Sequence, residues 1–328
     1  MSLRSLVDES KRMFALSIVM GLFFIVVNDS VAIDAEAQKA GAGAPAKPAP
    51  AKPAPPRAAG QLKVITGQPR SYIYINSVLH GATKENGELG LARVWAGSYP
   101  VLVRTAGFAD WTGRVVVAAG ASRTLNVTQR PSTDTASIHF QTGEQLRYTG
   151  KGKDAVEEYK KAVALRPGLA EAHIGIARIL TLTQDYQEAE KHAQAAIKSG
   201  GRTLAEAQTV LANLRRNQGL VEEAIVEYRK ALRLARGNSF EAHIGLALAL
   251  IEQNDVDGAV KEYRAGIAQD MDTEPILYYQ LAEILEKAGR NKEAIEAYRN
   301  YLRLDPEGEY ASAVESIIER LKEETDNR

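Results

Sequence analysis

The stretch that decides the fold is "AIVEYRKALRLARG" at residues 224–237. Near copies stand at residues 155–168, "AVEEYKKAVALRPG", and at residues 294–307, "AIEAYRNYLRLDPE". Five copies follow one another at intervals of 34, 35, 35 and 35 residues, and their first alanines are Ala155, Ala189, Ala224, Ala259 and Ala294. A period of this length indicates stacked helical hairpins, because one hairpin cannot bury its apolar face alone.

Other positions recur in step with this alanine. A small residue stands twelve positions before it in every copy and would let two helices approach closely. A tyrosine stands four positions after it in four copies, as at Tyr228, and would fill the space towards the next hairpin. Residues suited to the left-handed conformation that ends a helix stand five positions before it, at Gly150, Gln184, Gly219, Asn254 and Gly289.

This pattern resembles the tetratricopeptide repeat family. The resemblance implies a five-repeat α-solenoid over residues 136–305, and Pro167 and Pro306 stand where second helices should stop. The second repeat departs from the family, since Ala193 replaces the tyrosine and "KSGGRT" carries an extra residue, so we expect looser packing there. Residues 309–324 are apolar at helical spacing on one face, at Ala313, Val314, Ile317, Ile318 and Leu321, which predicts a capping helix.

The first 60 residues read as targeting and spacer sequence. Basic residues precede an uninterrupted apolar run, residues 13–27, which is short for a membrane span and typical of a secretory signal. Residues 1–37 are therefore predicted to be a cleaved signal peptide or an uncleaved signal anchor to the inner membrane. Residues 38–60 are rich in alanine and proline and predict an extended linker. Either alternative places the remaining chain outside the cytoplasm, in the periplasm or cell envelope.

Residues 61–130 change to short β-branched and aromatic runs separated by glycine, proline and asparagine. Six or seven strands at this spacing predict a small all-β sandwich. The strand "YIYIN", "AGSY" at residues 96–99 and "AGF" at residues 106–108 resemble the PEGA domain family. That resemblance implies an envelope adaptor module without catalytic residues. Gly97 and Gly107 are expected in turns with positive φ.

Composition excludes several classes of function. Lys+Arg and Asp+Glu are equal at 41 each, so no overall field recruits nucleic acid. The balance is nevertheless +6 over residues 1–135 and −6 over residues 136–328, which suggests two functional halves. The chain has no cysteine, so it has no disulfides, thiolate chemistry or cysteine-ligated metals.

The sequence contains no recognisable catalytic, nucleotide-binding or zinc-protease motif. His139, His173 and His243 occupy the same repeat position, but each stands on a different repeat in a packing role. We therefore expect no enzyme activity, no cofactor and no metal site.

The candidate functional residues lie on the first helix of each repeat. In the tetratricopeptide repeat family, positions 5, 9 and 12 of that helix face a concave groove. The resemblance assigns these positions to Phe140, Glu144, Arg147, Ile174, Arg178, Thr181, Thr209, Asn213, Arg216, Ile244, Leu248, Ile251, Tyr279, Glu283 and Glu286.

This set predicts a basic and amide patch towards the N-terminal half, formed by Arg147, Arg178, Asn213 and Arg216. It is followed by an exposed apolar patch at Ile244, Leu248, Ile251 and Tyr279. Either a partner or the capping helix would cover the apolar patch.

The leading hypothesis is an exported, non-enzymatic adaptor that binds a protein or peptide segment in the groove. Membrane contact would occur only through an uncleaved N-terminal segment. One alternative is a structural accessory subunit of a larger envelope complex. Another is binding of cell wall or carbohydrate by the β domain, with Tyr72, Trp95 and Trp111 as stacking platforms.

Overall fold

The computed structural model describes residues 58–270 and 274–326. The predicted signal segment, and the predicted linker as far as residue 57, lie outside these residues. Within the described residues, no helix is both long enough and apolar enough to span a bilayer.

A two-sheet β domain forms the N-terminal part of the described chain. Its seven strands are β1 Ala59–Ile65, β2 Tyr72–Ile75, β3 Val78–Ala82, β4 Glu88–Trp95, β5 Gly97–Arg104, β6 Trp111–Val117 and β7 Ser122–Asn126. One sheet has the order β4-β1-β7, with β1 and β7 parallel, and the other has the order β3-β2-β5-β6. Strand β1 begins two residues before the predicted start of the domain.

Alternating side chains of both sheets meet in one core. Val64 on β1, Ile73 on β2 and Val103 on β5 are completely buried there. Gly107 has a φ of 83°, as expected for a turn. The expectation for Gly97 is wrong, because Gly97 opens strand β5 and its lack of a side chain makes room for the Tyr99 ring.

Ten helices pair as five antiparallel hairpins, which confirms the predicted solenoid. Among the described residues they are α1 Thr135–Tyr148, α2 Gly152–Leu165, α3 Ala170–Leu182, α4 Tyr186–Ser199, α5 Leu204–Asn217, α6 Val221–Leu234, α7 Phe240–Glu252, α8 Val256–Asp270, α9 Ile276–Lys287 and α10 Asn291–Leu304. The five residues predicted to end the first helices have φ between 62° and 78°. Second helices α2 and α10 end two residues before Pro167 and Pro306.

The repeated tyrosine packs between successive hairpins. The ring of Tyr159 lies against the backbone of α1 at Gly143 and against the backbone of α3 at Gly175. A Cβ placed on either glycine would lie 2.6 Å from a ring carbon, closer than real Cβ contacts allow. Both positions therefore need glycine, because the Tyr159 ring fills the space that a larger side chain would occupy.

In repeat 2 the sizes of the two packed residues are reversed, with the small residue on the second helix and the larger one on the next first helix. Ala193 replaces the tyrosine, and Val210 occupies the position of Gly175 in the following repeat. Both residues are essentially buried in one apolar cluster, at 0% and 1% exposure. The expectation of looser packing is therefore wrong, because a larger residue on α5 fills the volume that the missing tyrosine leaves. The extra residue is absorbed by a 3₁₀ turn at Gly201–Thr203.

Helix α11, Ala311–Asp326, is the predicted cap. Val314, Ile318 and Leu321 are buried in the hydrophobic cluster of the last two repeats, whereas Ala313 is exposed rather than part of this face. One side of α11 thus covers the end of the solenoid and the other meets solvent.

Candidate functional site

First helices of neighbouring repeats touch one another directly, as in the contacts of α1 with α3, α3 with α5, and α5 with α7. They therefore form the inner layer of the solenoid, and the positions predicted to face the groove lie on this layer. Their accessibility differs strongly from repeat to repeat.

Position 5 points into the packing between helices on α3, α5 and α7. Ile174, Thr209 and Ile244 are 3%, 1% and 1% exposed. The Ile244 side chain occupies the space beside Gly266 on α8, where an added Cβ would lie 2.6 Å from its Cδ1. The prediction that Ile244 is an exposed groove residue is wrong, as is any exposed role for Ile174 and Thr209, because these side chains fill the core.

The β domain covers the N-terminal end of the inner layer. The Arg104 guanidinium lies over the Phe140 ring, 4.7 Å from its centroid, and pairs with Asp110 at 2.8 Å. The Tyr148 ring contacts the Tyr72 ring at 4.6 Å between centroids. Phe140 is consequently buried against the β domain and unavailable to a partner in this arrangement.

Polar groups complete this interface. The Gln141 side chain accepts from the Gly107 N–H at 3.2 Å and donates to the Phe108 carbonyl at 2.7 Å and to Asp110 at 3.1 Å. The hydroxyls of Tyr74 and Tyr148 lie 2.8 Å apart. Because Gln141 is itself buried, these bonds hold the β domain in one orientation on α1.

The turn between β2 and β3 reaches much further along the solenoid. Asn76 and Ser77 have φ of 53° and 67°, as in a two-residue hairpin turn. The Asn76 side-chain amide lies 3.4 Å from that of Asn238, in the loop between α6 and α7. The β domain thus contacts both the first repeat and the loop that joins the third and fourth repeats.

Charged groove residues of the N-terminal half pair among themselves. Arg147 contacts Glu144 at 3.0 Å, and the Tyr159 hydroxyl also bonds that carboxylate. Burial opposes ionisation of Glu144, but the charge and hydrogen bonds of Arg147 prevail and lower its pKa to about 2. This pair is therefore an internal ion pair rather than an open binding element.

The predicted basic and amide patch is likewise neutralised. Arg178 pairs with Glu241 at 2.5 Å and with Glu206 at 3.2 Å. Asn213 donates to Glu241 at 3.0 Å and accepts from the Tyr228 hydroxyl at 2.5 Å. Glu206 and Glu241 were not predicted from the sequence as groove residues. Both stand at position 2 of their repeats, so the repeat period could have identified them. Thr181 is buried and donates to the Ala177 carbonyl of its own helix.

The C-terminal half of the groove remains partly open. Leu248, Ile251, Tyr279 and Glu283 are all half-buried. The first three border the cluster that also receives the cap helix. Arg216 is nearly buried instead, and its nearest carboxylate, on Glu252, is 4.0 Å away.

The chain's own C-terminal segment covers part of this region. Tyr310, just before α11, stacks on Tyr279 at 4.8 Å between centroids. Arg320 on α11 donates to Glu286 at 2.5 Å, and the Tyr298 hydroxyl donates to the other oxygen of the same carboxylate at 2.9 Å. The cap therefore meets the groove at repeat 5.

Aromatic residues of the β domain are mostly engaged. Tyr72 is buried against Tyr148, so its predicted role as a stacking platform is wrong. Arg93 lies over the half-buried Trp95 at 4.6 Å, and the Trp111 ring crosses Gly113. Within residues 58–270 and 274–326, no three His, Asp or Glu side chains are grouped so as to hold a metal ion.

This arrangement defines a class: a helical-hairpin repeat scaffold, capped at one end by a β domain and at the other by a helix. Sequence profiles of the tetratricopeptide repeat match residues 146–214, 209–274 and 244–309, and together they span half of the chain. The chain belongs to the tetratricopeptide repeat family. Tetratricopeptide repeats typically form scaffolds for protein–protein interaction. No match was found among curated protein sequences.

Solved structures with a similar fold include the pilF protein of Pseudomonas aeruginosa, with 17% identity and a TM-score of 0.51 over 60% of this chain and 86% of that one. PilW, described as a type IV pilus biogenesis factor, gives 14% identity and a TM-score of 0.48 over 60% and 94%. YrrB, described as having an unusual peptide-binding site, gives 18% and 0.40 over 55% and 92%. At these identities the similarity to pilF concerns the fold alone.

Proposed function

We propose that this protein is an exported cell-envelope adaptor that binds a protein segment in the C-terminal half of its groove. The observation that carries the proposal is the unequal occupation of the inner layer. The β domain buries Phe140 of repeat 1 and contacts Asn238 in the loop before repeat 4, whereas Leu248, Ile251 and Tyr279 on repeats 4 and 5 are half-buried and keep part of their apolar surface accessible. Half-exposed apolar side chains between polar neighbours are typical of protein-binding surfaces.

The partner segment would be short. The accessible region extends from Leu248 on α7 to Glu283 on α9, which are first helices of adjacent repeats. A segment with apolar side chains for Leu248 and Ile251 and a polar group for Glu283 fits this surface. Export is supported by the apolar run at residues 13–27 and by two small-x-small sites that follow it, Ser30-Val31-Ala32 and Ala35-Glu36-Ala37. The protein would then act in the periplasm or attached to the inner membrane.

Site-specific photo-crosslinking in cells tests the binding surface. A photoreactive amino acid at Leu248 is compared with one at Val226, which is 59% exposed on the second helix α6. We expect one dominant protein adduct at position 248 and none at position 226. A peptide from that adduct is then titrated against wild-type protein and the Leu248→Asp, Ile251→Asp variant.

The paired substitution should weaken peptide binding at least tenfold while leaving the helical circular dichroism unchanged. Two results would show that the groove is not the binding surface. One is the same adducts at positions 248 and 226, and the other is a folded double variant that binds the peptide as tightly as wild type does. N-terminal sequencing of the mature protein tests export separately, since a start between residues 30 and 40 is expected for a cleaved signal.

A further inference from the structure

Two imidazoles face each other inside repeat 2. His173 on α3 and His192 on α4 have their Nδ1 atoms 2.8 Å apart. The Nε2 of His173 lies 3.0 Å from the Pro167 carbonyl oxygen. Because a carbonyl only accepts, Nε2 of His173 carries hydrogen, and Nδ1 of the neutral ring is left as an acceptor for the Nδ1–H of His192. The contact therefore requires that at least one of the two rings is neutral, since two imidazolium rings would have no acceptor between them.

Other repeats place a carboxylate where repeat 2 has the second imidazole. His139 pairs with Glu158 and His243 pairs with Glu262, each at 2.6 Å and each 19 residues apart in sequence. His173 and His192 have the same separation and the same location between first and second helices. Protonation strengthens a histidine–carboxylate pair, whereas protonation of both rings of a histidine–histidine pair leaves no acceptor and places two positive charges side by side.

The groups around His192 do not favour its protonated form. Lys160 on α2 and Lys191 on α4 add positive charge, and His173 faces it from α3. Glu188 is the carboxylate on the same helix face, and it is bound to Lys191 at 2.5 Å. Burial, and then His173, lower the pKa of His192. In repeat 4 burial also opposes protonation, but the bond to Glu262 prevails and raises the pKa of His243.

We propose that repeat 2 is an acid-sensitive joint of the solenoid, in which protonation of both imidazoles breaks the His173–His192 hydrogen bond and loosens α3 from α4. Helix α3 also carries Arg178, which ties repeat 2 to Glu206 and Glu241 of repeats 3 and 4. Loosening α3 therefore changes the inner layer that supports the groove. Acidification would act on the binding surface through this joint.

The sign of the pH dependence differs between repeats. His192, with its lowered pKa, contributes stability above the ordinary histidine pKa of about 6.5, and this contribution is lost as the pH falls below that value. His243, with its raised pKa, contributes stability below about 6.5, and this is lost as the pH rises through its folded-state value. Repeat 4 is therefore an internal control of opposite sign.

Hydrogen exchange read by mass spectrometry on the full chain tests the joint. Amide protection of α3 and α4 is compared with that of α7 and α8 at about pH 7.5 and about pH 5, corrected for intrinsic exchange and with a chelator present. We expect the ratio of protection between repeats 2 and 4 to fall roughly tenfold on acidification, which is the effect of one proton linked to unfolding over about one pH unit.

The chain offers its own matched variant. His192→Glu recreates the pair of repeats 1 and 4, and it should remove the fall or reverse it. His173→Gln, which cannot titrate, should also flatten the response if the first variant folds poorly. An unchanged ratio in wild type, or the same fall in wild type and in both variants, would overturn the proposal.

Discussion

Tyr228 lies so close to Gly245 that a Cβ added to the glycine would be 2.3 Å from the tyrosine's Cε1. Gly245 is inside helix α7, where glycine is otherwise unfavourable by about 1 kcal/mol relative to alanine. Glycine is nevertheless needed at this position, because the buried Tyr228 ring fills the space between repeats 3 and 4.

Gly245→Ala should therefore destabilise the protein by about 1–3 kcal/mol despite its better helix propensity. The matched control is Gly168→Ala, since the space around Gly168 is open and its φ is not positive. Unfolding in guanidinium chloride measures the free energy of unfolding of both variants. A more stable Gly245→Ala variant would mean that Tyr228 does not occupy this space.

Ala193→Tyr should destabilise repeat 2 by several kcal/mol, because Val210 already fills the volume beside it. Adding Val210→Gly to that variant recreates the tyrosine–glycine pairing of repeats 1 and 3 and should recover much of the loss. The coupling energy from this double-mutant cycle is the measurement. Strictly additive effects would contradict the size exchange between these two positions.

Gln141→Leu should detach the β domain from α1. The change removes one acceptor and two donated bonds at a buried site, which costs about 1–3 kcal/mol for each group left unpaired. We expect faster proteolysis in the connecting segment at residues 131–134, with Gln145→Leu, outside the interface bonds, as the control. Equal cleavage rates in both variants would show that the interface does not depend on this side chain.

Glu144→Gln should flatten the acid limb of the stability curve. The Glu144 pKa is lowered to about 2, so its ionised form contributes stability above the unfolded-state value near 4.5, and that stability is lost as the pH falls towards 2. The variant should show a smaller loss of melting temperature between about pH 5 and about pH 3. A slope identical to wild type would mean that the Arg147 pair is not formed.

The repeats could be predicted from the sequence because each one is specified locally. Residues such as Gly150 and Gly219 end first helices by their own conformational freedom, and Tyr228 and Tyr263 recur at fixed offsets from their helix partners. The candidate site could be predicted only in part. Leu248 and Tyr279 lie at the groove as expected, but Ile244 is buried. Ile244 and Leu248 stand four positions, or about 40°, apart around the helix, and periodicity alone does not separate core from groove over so small an angle.

The sequence by itself determined the helical hairpins, their number and the strands of the β domain, since these follow from periodicity and from the chemistry of turns. Only the tertiary structure decided which part of the groove stays accessible. The contact of Tyr74 with Tyr148 joins residues 74 positions apart, and that of Asn76 with Asn238 joins residues 162 apart. Such contacts depend on how two separately folded surfaces fit together, and no local pattern in the chain encodes that fit.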